Sequence, residues 1–148
     1  MTGFAVERGN RQVGRTRLTG LLGAVVDLGD FHSNYVTVEP SDGVAIVRFS
    51  TPRLSEDENI DQLGHDLTAL VDQYAVRRMV VVLAGITYLT SSAMGKLITL
   101  HRKMHRAEGI VAFARPEPTV AEILTASRLD TYLKVCPTVE SAIQATGK

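Results

Sequence analysis

Residues 80–106, VVVLAGITYLTSSAMGKLITLHRKMHR, decide how the rest of the chain is read. Met79 to Leu83 is an unbroken apolar run rich in valine, the pattern of a strand buried on both faces of a mostly parallel sheet. Downstream, Ala93, Leu97, Leu100 and Met104 recur at i, i+4, i+7 and i+11, and Met94 and Ile98 widen the stripe. Lys96, Thr99, Arg102, Lys103 and Arg106 fall mostly off it, so the segment reads as an amphipathic helix laid on a sheet. Between strand and helix lies Leu89-Thr90-Ser91-Ser92, where Thr90 or Ser91 can act as N-cap and accept a bond from an orphan N–H of the first turn. Both serine hydroxyls then stand at the positive end of the helix dipole. A phosphate on either would meet unpaired backbone N–H groups and add about −1.5 to −2 charges to a nearly neutral surface. Serines in this position are more often caps and nothing else.

The flanking sequence supplies a frame for that unit. Val36 and Val38, then Val44, Ile46, Val47 and Phe49, form two β runs around the turn residues Glu39-Pro40-Ser41-Asp42-Gly43, which reads as a hairpin. Thr51-Pro52 ends the second run, and Ser55 with Glu58 has the form of a capping box. Ile60, Leu63, Leu67, Leu70 and Tyr74 follow at helical spacing, with Asp61, Asp66 and Asp72 off the stripe, giving a helix over about residues 56–75. Gly109 is expected to close the serine-bearing helix as its C′ glycine. Ile110 to Ala114 is another buried strand. Thr119 with Glu122 suggests a second capping box, Tyr132 to Val135 a last strand, and Pro137-Thr138 the start of a final helix. The order β-β-α-β-α-β-α-β-α predicts an α/β fold: a mixed, mainly parallel sheet of about five strands with about four helices and an antiparallel hairpin at its N-terminal edge.

Composition bounds the function. A chain of 148 residues, 45% apolar and 22% charged, makes one globular domain with an ordinary core. Sixteen basic and sixteen acidic residues cancel, so no overall field calls for nucleic acid. The single cysteine, Cys136, rules out an internal disulfide framework and a cysteine-based zinc site. No apolar run approaches the about 18 residues of a membrane span. Residues 1–18 hold four arginines and one glutamate without a period, followed by a short apolar patch, Leu21 to Val26, that Asp27 ends. The patch is too short for a secretion signal and has no clear cleavage site. Residues 1–33 are therefore expected to be a poorly ordered extension, and residues 34–148 the folded domain.

Catalytic motifs fail one by one. Gly95-Lys96 suggests a phosphate-binding loop, but the positions that should hold the first glycine and the hydroxyl residue hold Thr90 and Leu97. His101 and His105 are spaced i, i+4 but lack the glutamate of HExxH and a third ligand. Ser91 and Ser92 lack the flanking glycines of a nucleophile elbow and an identifiable base. The basic run His101 to Arg106 has no interleaved aromatic, so it reads as a solvated helix face. No enzyme, metal or cofactor is expected.

One resemblance extends over about residues 34–146. Val80–Leu100 resembles the signature of STAS domains, the bacterial anti-sigma-factor antagonist family: a hydrophobic strand, a few residues, Asp-Ser-Ser/Ala-Gly-Leu-Gly, and a helix. Here Thr90-Ser91-Ser92-Ala93-Met94-Gly95 occupies that stretch, and the closing helix carries Thr138 and Ala142. The resemblance implies a cytoplasmic, non-enzymatic partner switch in transcription control. It binds an anti-sigma factor that is also a serine kinase and frees the sigma factor. Phosphorylation of Ser92 or Ser91 ends the complex, and a phosphatase resets it. The docking residues it implies are Thr90, Ser91, Ser92, Ala93, Met94, Gly95 and Lys96. Thr90 stands where the family has aspartate and Ala93 where it has glycine, the latter adding a methyl where a partner would come close. The alternative is an unmodified STAS adaptor in a larger signalling or lipid-transport assembly.

Overall fold

The computed structural model describes residues 17–19, 25–28, 31–41, 43–50, 53–54 and 57–147. The apolar run singled out above is strand β6 (Arg78–Val82), the middle of a five-stranded sheet. Before it come β1 (Arg17–Thr19) paired with β2 (Val25–Asp27), the hairpin β3 (Val36–Ser41) and β4 (Val44–Phe49), the short β5 (Arg53–Leu54) and helix α1 (Asp57–Asp72). After it come β7 (Tyr88–Leu89), α2 (Ser91–Arg106), β8 (Ile110–Ala114), α3 (Pro118–Ala126), a single 3-10 turn (Leu129–Thr131), β9 (Lys134–Cys136) and α4 (Val139–Thr146). The sheet order is β3-β4-β6-β8-β9, with only the β3–β4 pair antiparallel.

The register shows why these strands are apolar throughout. Val38, Val47, Val81, Phe113 and Val135 line up across the sheet. Because side chains alternate along a strand, this row faces one side, where α1, α2 and α3 supply Leu63, Leu67, Leu70, Leu97, Leu100, Met104, Val120 and Leu124. The next row, with Ile46, Val80 and Ala112, faces the opposite side, under α4. Small residues there, Ala112 and Ala114 beneath Ala142, let that helix lie close to the sheet. Both faces are thus covered, as a mostly parallel sheet requires.

Several local expectations are corrected. Gly109 is not the left-handed residue after α2; Glu108 is, at φ 64°. Gly109 is needed for close approach instead, since a Cβ there would lie 2.6 Å from the carbonyl oxygen of Arg77 and 2.5 Å from Met104 Sδ. Thr119 does not cap α3. Glu117 holds the N-cap position without a side-chain bond to its helix, and Pro118 is the first helical residue, where its missing N–H costs nothing. The Glu117 carboxylate instead accepts the Gly85 N–H at 2.7 Å. The last strand begins two residues later than expected and ends one later, leaving Tyr132 and Leu133 ahead of it. Asp66 does not stay clear of the buried side of α1: it is 7% exposed and accepts bonds from Ser33 Oγ at 2.6 Å and Gln62 Nε2 at 2.9 Å. Leu28, 2% exposed, and Phe31 pack into the main core although both precede residue 34. Most of the stretch expected to be poorly ordered, residues 1–33, lies outside the described residues, and so does Ser55 of the first capping box.

Candidate functional site

Short-range anchors fix the start of α2. Ile86 and Leu89 are 1% and 4% exposed, and β7 pairs in parallel with β5, Leu54 opposite Leu89. Strand alternation turns Tyr88, beside Leu89, outward, where it is 43% exposed. Thr90 then takes extended backbone at φ −86°, ψ 169°, and its hydroxyl accepts the Ala93 N–H at 3.2 Å. Of the two cap candidates, Thr90 is therefore the cap. Its carbonyl accepts the Met94 N–H at 2.9 Å, the first bond of the helix.

This geometry leaves Ser91 and Ser92 at the first two helical positions, both exposed. Neither their hydroxyls nor their backbone N–H groups bond to another described residue. The first turn contains no acidic residue, so its dipole is not offset locally. Gly95 follows Ser91 by four residues and Ser92 by three, on the same helix face, and a Cβ placed on it would meet nothing within 4 Å. Two hydroxyls, two open N–H groups and a glycine without a side chain make a smooth, donor-rich patch beside Tyr88.

The remaining candidate residues do not all reach that patch. Ala93 is 1% exposed and packs in the core, which corrects its assignment to a docking surface: its methyl faces inward. Met94 is partly buried against the same core, its sulfur 3.8 Å from Ser127 Oγ on the C-terminal side of α3. Lys96 leans toward α1, where its ammonium pairs with Asp61 at 3.2 Å and its stem covers Gly64. Tyr88 was not picked out from the sequence. Its signal was there in the alternation Ile86-Thr87-Tyr88-Leu89, which places an aromatic outward next to the serines.

The far half of α2 holds a second cluster. The His101 and His105 rings lie nearly parallel, centroids 6.5 Å apart, and Tyr132 packs 4.8 Å from His101. His101 Nδ1 is sealed from solvent without a hydrogen-bond partner. Burial, reinforced by the neighbouring His105, lowers the His101 pKa from its ordinary value of 6.5. Among the described residues no group of three or more His, Cys, Asp or Glu side chains could hold a metal ion. No described helix is long and apolar enough to cross a membrane.

Residues 35–142 match the family model of the STAS domain, so the chain belongs to the STAS domain family. No curated protein matches the chain in sequence. Among solved structures, an anti-sigma factor antagonist from Mycobacterium paratuberculosis aligns at TM-score 0.67 and 20% identity, over 76% of this chain and 93% of its own. An anti-sigma-factor antagonist (STAS) domain protein from Planctomyces limnophilus aligns at TM-score 0.65 and 19% identity, over 76% and 98%. The Bacillus cell fate determinant SpoIIAA in its phosphorylated form aligns at TM-score 0.57 and 19% identity, over 74% and 97%. At these identities the likeness is one of fold, and the five-stranded mixed sheet with four helices is that of the STAS domain.

Proposed function

We propose that this protein is an anti-sigma factor antagonist: a non-enzymatic switch that binds an anti-sigma factor with serine kinase activity, frees a sigma factor, and is turned off by phosphorylation at Ser92 or Ser91. The observation that carries the reading is the pair of exposed serine hydroxyls at the first two positions of α2, beside backbone N–H groups with no described partner. A phosphoryl group there gains hydrogen bonds from those N–H groups and favourable interaction with the helix dipole. It also changes the charge of a surface whose neighbours are Gly95 and Tyr88, so a partner packed on the neutral patch meets a dianion it cannot desolvate cheaply. Likeness in fold to anti-sigma factor antagonists, one of them in a phosphorylated form, supports the same reading.

Intact-mass spectrometry of the protein from its own cells, with and without phosphatase, tests this. A species heavier by one phosphate, lost on phosphatase treatment and mapped to Ser91 or Ser92, is the expected result. Unmodified protein under all growth and stress conditions would remove the switch. The chain would then be an adaptor that docks through the same patch without modification. Thr90 and Ala93, which stand where the family pattern has aspartate and glycine, favour that second reading.

A further inference from the structure

The C-terminal half of α2 walls a cavity of about 560 Å³ that the serine turn does not share. Ile110, Val111 and Leu133 supply apolar surface, while His101, His105, Tyr132 and Lys134 bring polar groups to it. Its volume falls in the range of small-molecule sites, and its composition, mostly apolar with a few convergent polar groups, is theirs too. No acidic residue lines it. The Lys134 ammonium makes no hydrogen bond or ion pair with another described residue, unlike the side chains of Arg48, Lys96 and Lys103, each paired with a carboxylate. Tyr132, 44% exposed, is one of only two large hydrophobic side chains among the described residues that stand exposed, and its ring already packs on His101.

We propose that this cavity binds a small planar molecule carrying one anionic group, an aromatic carboxylate being the simplest case, with its ring against Tyr132 and His101 and its charge on Lys134 and His105. The donor chemistry follows from the histidine. The Nδ1 of His101 is sealed without a partner, so any bond the ring makes to a ligand is made through Nε2. His101, His105, Tyr132 and Lys134 can each present a donor to the cavity, the Thr131 hydroxyl being already given to the Arg128 carbonyl at 2.8 Å, and no carboxylate lines it to repel an anion. A bare inorganic anion would leave the apolar wall uncovered, and a cation would meet Lys134 with nothing to offset it.

Histidine-ring NMR on the full chain, titrated separately with salicylate, inorganic phosphate and benzamidine, tests the proposal. Salicylate should move the His101 and His105 signals saturably, with a dissociation constant below about 1 mM, the weak end of specific binding. Phosphate should bind at least about 5-fold more weakly and the cation benzamidine should not saturate. Lys134→Ala and Tyr132→Ala, both at exposed positions, should each weaken salicylate at least about 5-fold while the remaining spectrum stays native. A linear response to salicylate, equal binding of phosphate or benzamidine, or unchanged affinity in the folded variants would overturn it. The outcome is independent of whether the serines are phosphorylated.

Discussion

Two glycines in facing helices should respond unequally to the same substitution. Gly95 in α2 has nothing within 4 Å of the place a methyl would take, so Gly95→Ala gains only helix propensity, about 1 kcal/mol, and makes no new contact. For a domain of this size that is a rise in Tm of about 3–4 °C. Gly64 in α1 should gain the same propensity, but a Cβ there would lie 2.7 Å from Lys96 Cδ. The lysine stem must leave, giving up its packing and the Lys96–Asp61 pair, in which Asp61 is 81% exposed. Such a surface pair contributes about 0.2–1 kcal/mol, so Gly64→Ala should come out within about 0.5 kcal/mol of neutral. In a Lys96→Ala background the obstruction is gone, and Gly64→Ala should then stabilise by about 1 kcal/mol, a coupling of similar size. Urea unfolding of the four proteins in the cycle and of the Gly95→Ala variant, with unchanged m-values, measures all of these terms. If Gly64→Ala stabilises as much as Gly95→Ala in the wild-type background, Lys96 does not lie across α1. Destabilisation by Gly95→Ala would refute the open patch beside the serines.

Other perturbations separate individual contacts. Asp66→Ala should cost about 1–3 kcal/mol, because Ser33 and Gln62 lose their shared acceptor, and urea unfolding reads it directly. His101 has a lowered pKa in the folded state, so below about pH 6.5 the unfolded chain takes up its proton more readily. Stability should therefore fall as pH drops from 6.5 toward that lowered value and level off below it, a slope that His101→Gln should reduce in unfolding curves at pH 7.5 and 5.5. Gly109→Ala should lose about 1–3 kcal/mol through overpacking against Arg77 and Met104, and thermal melting would expose a milder effect as an error in that contact.

The sheet and helices were legible because their signals are local. Strands covered on both faces must be apolar at every position, and Met79–Leu83 and Ile110–Ala114 are. The α2 stripe likewise puts Ala93, Leu97, Leu100 and Met104 inward, as observed. Ala93 is instructive, since periodicity places it in the core while family resemblance assigned it to the partner surface, and periodicity prevailed. What stayed hidden depends on distant neighbours. Gly109 is constrained by the backbone of Arg77, Glu117 by Gly85, and Asp66 by Ser33, each 32 or 33 residues away in sequence. The histidine cavity was hidden for the same reason, because Tyr132 follows the 3-10 turn and Lys134 lies on β9, whereas His101 is on α2. An exposed-looking i, i+4 pair gives no hint of the aromatic that closes over it.

How Thr90 differs from its two neighbours bears on which hydroxyl can be a switch. The Thr90 oxygen is spoken for, accepting the Ala93 N–H, whereas the Ser91 and Ser92 hydroxyls hold nothing of the fold together. Removing the cap with Thr90→Ala should therefore cost about 1 kcal/mol, and Thr90→Ser should retain most of it. An acidic replacement at Ser92 should do the reverse: near the helix N-terminus a carboxylate gains about 0.3–1 kcal/mol from the dipole, so Ser92→Asp should be at least as stable as wild type. A modification at Ser91 or Ser92 can then alter what the surface binds without loosening the domain that presents it, whereas one at Thr90 would weaken the helix start itself. Thermal melts of Thr90→Ala, Thr90→Ser and Ser92→Asp decide the matter. A Ser92→Asp protein that melts well below wild type would mean that the serine supports the fold, and a switch that must leave the fold intact could not be placed there.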